Sequence, residues 1–248
     1  MPLRPYFEDH SITLYHGDAR EILPQLEPET FDMALTDPPY LVSYSGRWGS
    51  DLEIIQGDSE SSWVEPVFTE IWRLLKPDSL CFSFYGWPHA ETFLSTWKTI
   101  GFRPVSLIAF IKDRWGLGQF TRAQHETAYL LAKGRPRKPN AAISDVLDWE
   151  QTSPHLHPNQ KPLRAISKVV STYTSEHCRI LDPFCGSGTT LIAARNLGRS
   201  AVGIELEERY CEIVALRFSQ DVFTFPATDV SPTQMPITFE AVEELTNP

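Results

Sequence analysis

Nowhere in this sequence do two cysteines form a Cys-x-x-Cys pair. The four present, Cys81, Cys178, Cys185 and Cys211, are scattered along the chain. That usage fits free thiols in a reducing compartment better than disulfides or a zinc site, and no metal is expected. No apolar run approaches the length of a membrane span, and no basic-then-apolar signal pattern opens the chain. A cytoplasmic protein without membrane contact is the expectation. Internal repeats are absent too. Basic residues are in short supply: 22 Lys and Arg stand against 32 Asp and Glu, a net charge of −10. Spread evenly, that balance would argue against a nucleic-acid partner. It is not spread evenly. From Lys98 to Lys138 nine basic residues face two acids, whereas from Glu205 to Pro248 two basic residues face nine acids. Phosphate contact requires a local basic surface, and whole-chain charge does not decide it. By itself such a charge run is a solvated face.

What is present reads as one α/β unit. At 248 residues, with 42% hydrophobic and 22% charged residues, the chain can bury a substantial core. Seven segments have strand character: "SITLYHGD", "FDMALT", "SLCFSFY", "PVSLIAFIK", "ETAYLLAK", "RILDPF" and "SAVGIE". Between them lie helical patterns such as "WVEPVFTEIWRLLK", "HAETFLSTWKTIG", "PLRAISKVVSTYT" and "TTLIAARNLG". This alternation predicts a doubly wound, mostly parallel sheet. A single domain over residues 1–220 is expected, with insertions at 41–62 and 112–154. Residues 221–248 read as a loose acidic tail.

Ligands of such sheets sit at the carboxyl ends of strands. Four strands end in chemically active residues: Asp18, Asp37, the loop "DPFCGSGTT" at 182–190, and Glu205. Gly186 and Gly188 let that loop turn tightly and approach a ligand, and the loop feeds a helix N-terminus. No lysine follows Gly188, so a nucleoside triphosphate is not the expected ligand. Glu205 lies 17 residues beyond Gly188, at the end of the next strand, where an acid grips two ribose hydroxyls. A glycine loop and such an acid, without phosphate-binding residues, suit S-adenosylmethionine. "HPNQKPL", 157–163, places an amide and a lysine before a helix, where they could hold a carboxylate. "DPPY", 37–40, is a stiff strand end: two prolines donate no N–H, and an acid stands beside their carbonyls. Alone it is as well explained by a rigid turn.

In order, "DPPY", "HPNQKP", "DPFCGSGTT" and "GIE" (203–205) resemble the amino-methyltransferases of DNA, specifically the beta class, whose catalytic motif precedes the cofactor loop. "YHGDAREIL" (15–23) and "QHETAYLLAKG" (124–134) extend the similarity, which runs from about Ile12 to Phe218. The small size also resembles solitary adenine methylases of phages and mobile elements. The resemblance implies a Rossmann-like seven-stranded sheet of the S-adenosylmethionine-dependent methyltransferase type, with circularly permuted motif order. Asp18 would approach the cofactor adenine. Asp182, Phe184, Gly186, Ser187, Gly188 and Thr189 would wrap the methionine and adenosine. Glu205 would take the ribose hydroxyls, and Asn159 and Lys161 the amino-acid end. Asp37, Pro38, Pro39 and Tyr40 would form the catalytic pocket for a base flipped out of double-stranded DNA.

Arg47, Arg114, Arg122, Arg135, Arg137 and Lys138 are the candidate DNA contacts. The expected reaction is methylation of the adenine exocyclic amine. Its sister reaction on cytosine N4 remains an alternative, although that group more often has Ser where Asp37 stands, so Asp37 favours adenine. A non-catalytic DNA-binding regulator and an RNA methyltransferase also remain, the latter expected to carry Asn at 37. The oligomeric state is open, a dimer included.

Overall fold

The computed structural model describes residues 3–40, 61–116, 119–149 and 161–221. Nine strands form a single sheet. In chain order they are β1 (Phe7–Glu8), β2 (Ile12–His16), β3 (Phe31–Thr36), β4 (Leu75–Phe84), β5 (Arg103–Lys112), β6 (His125–Lys133), β7 (Val146–Trp149), β8 (Arg179–Asp182) and β9 (Ser200–Glu205). Their order across the sheet is β1-β2-β9-β8-β3-β4-β6-β5-β7. The block β2-β9-β8-β3-β4 is parallel throughout. β6 runs antiparallel to both β4 and β5.

All seven expected strands are present and the sheet is mostly parallel, as expected, but the count is corrected. The sheet has nine strands and is mixed. β1 contributes two residues at one edge. β7 adds parallel to β5 at the other, pairing Val146 with Ala109 through to Trp149 with Lys112. β7 comes from the stretch 112–154, expected as an insertion outside the sheet. Beyond β6, only "VLDW" of the described residues pairs there, and it buries alternate residues, Leu147 and Trp149. A four-residue strand with one buried face is too short to register as a period in sequence.

Among the described residues, six helices cover the two faces: α1 (Ala19–Ile22), α2 (Val64–Leu74), α3 (Ala90–Ile100), α4 (Leu163–Tyr173), α5 (Thr189–Asn196) and α6 (Glu208–Asp221). The strand residues alternate accordingly. Met33, Leu35, Phe82 and Phe84 pack with α4, α5 and α6 on one face. Ala34, Cys81 and Leu131 pack with α1, α2 and α3 on the other. Central strands buried on both faces read as continuous apolar runs, as "FDMALT" and "SLCFSF" do. α3 stops at Gly101, whose φ of 119° is open to glycine at little cost. α1 gives way to a short 3-10 turn at Leu23–Gln25, where Pro24 ends the α-helical pattern.

The topology fixes where a ligand can sit. From β8 the chain passes through α5 to β9 on one side; from β3 it passes through α2 to β4 on the other. β8 and β3 are neighbours, so the winding reverses between them. Crevices of open α/β sheets form at such a switch point, beyond the carboxyl ends of the strands.

Candidate active site

Two of the sequence motifs flank that switch point. Asp182 closes β8 and opens the glycine loop; Asp37 follows β3 directly. Glu205, at the end of β9, is next in line. Its two carboxylate oxygens accept backbone N–H bonds from Gly186 and Glu207, each at 2.8 Å. The loop and the acid are thus one structure, the acid tying the loop's first glycine.

The glycines are required there. Gly186 and Gly188 have φ of 50° and 84°. A Cβ on Gly188 would also come within 2.9 Å of Val214. Side chains are excluded on both counts, and the backbone stays open to a ligand. Ser187 and Thr189 are buried in the same turn. Phe184 packs edge-on against Trp63, ring centroids 5.3 Å apart. Asp182 is buried, with no cation paired to it among the described residues. It accepts the Phe184 N–H at 3.2 Å, and burial pushes its carboxyl up to about 7, with the Asp37 and Glu205 charges adding to the rise. Asp18 caps α1 and forms a bidentate pair with Arg20. It is one residue beyond Gly17, whose N–H bonds the Glu205 carbonyl at 2.9 Å. A turn that leaves its backbone bare, with a buried anion and a ribose-type acid around it, fits an adenosine carrying a positive charge.

The second half of the site is a buried ionic cluster. Asp37 Oδ1 accepts the Tyr40 hydroxyl at 2.8 Å, and Asp37 Oδ2 lies 2.5 Å from Lys161 Nζ. Lys161 Nζ also meets Glu126 Oε2 and the Tyr40 oxygen, each at 3.0 Å. Glu126 Oε1 accepts from Lys112 Nζ at 2.6 Å. Two cations and two anions balance. Lys161 is only 7% exposed and lies 4.6 Å from the centroid of the Phe84 ring. Burial pulls its ammonium down, but the Asp37 and Glu126 charges outweigh that and hold it above the usual lysine range. Burial raises Asp37, and the Lys161 charge only partly offsets it. Burial also pushes Glu126 upward, yet Lys161 and Lys112 together bring it below the usual carboxylate range. Pro38 is buried and has no N–H to compete for its neighbours. Gly86, after β4, lies against Tyr40: a Cβ there would land on the Tyr40 backbone carbonyl.

The structure therefore brings together Asp37, Pro38, Pro39, Tyr40 and Lys161 on one side, and Asp182 to Thr189 with Glu205 and Asp18 on the other. Lys161 differs from expectation. Its three N–H groups go to Asp37, Glu126 and Tyr40, which leaves none for a methionine carboxylate in this arrangement. Asn159 lies outside the described residues, as do Arg47, nearly all of segment 41–62 and the tail from 222. Glu126 and Lys112 were not picked out from sequence. Glu126 opens a strand in the sequence, and only the antiparallel direction of β6 places it at the carboxyl edge beside Asp37.

The candidate DNA contacts divide into two groups. Arg114 and Arg122 lie in the hairpin loop between β5 and β6, at the same sheet edge as Asp37. Gly116 N–H bonds the Ala123 carbonyl at 2.7 Å, and Arg122 lies 5.8 Å from the Trp115 ring centroid. Trp115 is 65% and Phe120 99% exposed on that loop. β6 then runs away from the site. Lys133 pairs with Ser79, near the start of the β4 ladder, and the Arg135 N–H bonds Asp78 Oδ1 at 2.6 Å. Eight residue steps along a strand span roughly 27 Å. Arg135, and with it Arg137 and Lys138, is therefore delivered to the opposite edge. The basic run is continuous in sequence but does not form one face. Among the described residues, no group of three or more His, Cys, Asp or Glu is placed to hold a metal ion, and no helix is long and apolar enough to cross a membrane.

Comparison with known proteins agrees with this geometry. YubD of Escherichia coli strain K12 is 39% identical over 194 residues, covering 78% of this chain and 84% of that protein. The crystal structure of TTHA0409 of Thermus thermophilus, a DNA modification methylase by its description and complexed with S-adenosyl-L-methionine, superposes with a TM-score of 0.65. It is 25% identical and covers 86% of this chain and 95% of its own. The cytosine-N4-specific PvuII DNA methyltransferase shares the fold, with a TM-score of 0.73 at 16% identity over 98% and 93% of the two chains. The N6/N4 DNA methylase family model matches residues 31–216, from the start of β3 through most of α6, and so spans both halves of the site. The chain belongs to the DNA methylase family, the methyltransferases that act on exocyclic amines of DNA bases.

Proposed function

We propose that this DNA methyltransferase transfers the methyl group of S-adenosyl-L-methionine to the exocyclic amine, N6, of adenine. The observation that carries the reading is the Asp37 carboxylate, placed at the carboxyl end of β3 beside the cofactor loop of β8. An aromatic amine is a poor nucleophile because its lone pair is delocalised into the ring. Asp37 accepts one amine hydrogen and the Pro38 carbonyl the other. That draws the nitrogen toward a tetrahedral shape and localises its lone pair. The charge accepted grows toward the transition state, so the stabilisation is differential.

The cofactor, when bound, supplies an electrophilic methyl carbon whose bonding pair stays with sulfur. Gly186, Ser187, Gly188 and Thr189 would line its adenosine and methionine. Glu205 would take the ribose hydroxyls, and Asp182 would face the positive charge. Asp18 would border the adenine. Asn159 stands in the segment before α4, where it could hold the amino-acid end. Lys161 orients the Asp37 carboxylate. Pro39 stiffens the turn, and Tyr40 offers a ring to a base taken out of the stack, worth ~1–3 kcal/mol. Arg114 and Arg122 lie on the correct edge to reach DNA phosphates. The acid at position 37 favours adenine over cytosine N4.

Mass spectrometry of nucleosides from DNA incubated with the enzyme and methyl-labelled cofactor tests this. Labelled N6-methyl-2′-deoxyadenosine is expected. Labelled N4-methyl-2′-deoxycytidine in its place would refute the base assignment.

A further inference from the structure

Asp37 is not free to accept an amine hydrogen unhindered in this structure. Both of its oxygens are engaged, Oδ1 by the Tyr40 hydroxyl at 2.8 Å and Oδ2 by Lys161 at 2.5 Å. A carboxylate has room for further donors. Each donor already present nevertheless draws off charge and weakens its pull on an incoming amine.

A second acceptor lies beside the first. The Tyr40 hydroxyl is 3.2 Å from Glu126 Oε2. It has one hydrogen, so it donates to one carboxylate at a time. Rotation about its C–O bond is enough to exchange them. Glu126 is suited to receive it. Lys112 holds its other oxygen at 2.6 Å, and the two lysines keep it ionised. β6 fixes its position: Ala128 pairs with Phe84, which places Glu126 two residues further toward the edge where Asp37 and Tyr40 emerge. We propose that Glu126 is a positioning residue that takes the Tyr40 hydroxyl and so releases the Asp37 oxygen that the substrate amine uses. This rests on the methyl-transfer reading above. The exchange moves one hydrogen bond and no covalent bond. Lys161 touches both carboxylates and keeps the cluster neutral while it happens.

The other role for Glu126 is that of a plain counter-ion to Lys161. A double-mutant cycle with Tyr40→Phe separates the two. Tyr40→Phe keeps the ring and removes the hydroxyl, so Asp37 Oδ1 is free without help. Single-turnover transfer of labelled methyl to DNA is measured for the parent, Glu126→Gln, Tyr40→Phe and the double variant. Cofactor affinity and thermal unfolding are recorded on the same samples. Counting methyl on any base keeps the test independent of the adenine assignment. Glu126→Gln is expected to slow transfer about tenfold in the parent and less than about threefold in the Tyr40→Phe protein. Equal losses in both backgrounds would overturn the proposal.

Should Glu126→Gln not fold, Lys112→Gln provides the second route. Lys112 is one-third exposed and holds Glu126 from outside. The charged or titratable groups facing Glu126 are Lys112 on β5, Lys161 before α4, and Asp37 and Tyr40 beyond β3. Without Lys112, Glu126 protonates at higher pH. The acidic limb of the pH–rate profile is then expected to move up in the Tyr40 protein and to stay fixed in Tyr40→Phe. The same movement in both, or none in either, would overturn the proposal equally.

Discussion

Replacing Asp182 with Asn should stabilise the unliganded protein at neutral pH and leave it little changed in acid. Asp182 is buried at the end of β8 with no cation paired to it among the described residues, and its carboxyl is pushed up to about 7 from an ordinary value of 3.8. Below pH 3.8 both the folded and the unfolded chain are protonated there, so nothing depends on pH. Between 3.8 and about 7 the unfolded chain is ionised and the folded one is not, so stability falls as pH rises. Above 7 the cost is constant. From pH 5 to pH 8 the cost grows over about two pKa units, roughly 3 kcal/mol. Asn keeps the oxygen that accepts from Phe184 and discards the charge. Its added N–H group takes back about 1–2 kcal/mol if it finds no partner. Urea unfolding at pH 5 and pH 8 reads the difference directly. The Asn variant should gain about 2–3 kcal/mol on the parent between those two pH values. A gain independent of pH would refute the reasoning, and so would a loss that grows toward pH 8. The same charge should favour a cationic cofactor. Cofactor affinity of the parent is therefore expected to tighten as pH rises through about 7, and that of Asp182→Asn to stay flat.

Asp37→Ala should lower single-turnover methyl transfer on the order of 10²-fold or more, while calorimetry gives an unchanged cofactor affinity, because the missing acceptor acts mainly in the transition state. Gly86→Ala tests space rather than backbone conformation: its φ of −75° and ψ of 117° suit any residue, yet the new methyl would land on the Tyr40 carbonyl. It should cost about 1–3 kcal/mol in denaturant unfolding and slow turnover by displacing "DPPY"; a fully active, fully stable variant would show that this packing yields freely. Neutralising Arg114 and Arg122 together should flatten the salt dependence of DNA binding by about one counterion unit for each phosphate no longer neutralised. The same change at Arg135, Arg137 and Lys138, on the opposite sheet edge, should leave the slope unaltered.

The division between those two basic groups shows what a sequence of this kind conceals. Local pattern is enough for the seven expected strands, because each is buried on one or both faces and its apolar residues stand out in the chain. It is enough for Gly186 and Gly188 as well, since positive φ leaves few alternatives. It does not supply direction. Lys98 to Lys138 looks like one cationic stretch, but β5 runs out and β6 runs back through it, so its middle lies at the carboxyl edge of the sheet, while Arg103 and Lys133 lie toward the opposite edge. The Lys161–Glu126–Asp37 cluster is hidden for a related reason. Its members are 35 and 89 residues apart in sequence and meet only because β6 inserts beside β4 and brings Glu126 to the carboxyl edge. Read singly, Glu126 is one acid in a basic run and Lys161 one cation before a helix. Folding buries both beside Asp37, where an unpaired charge would be costly. The carboxylate at the head of "DPPY" is therefore tied, through Lys161 and Tyr40, to a strand remote from it in sequence. Asp37 accepts from Tyr40 inside that motif and pairs with Lys161 outside it, and the strand order brings Glu126 against both of these partners.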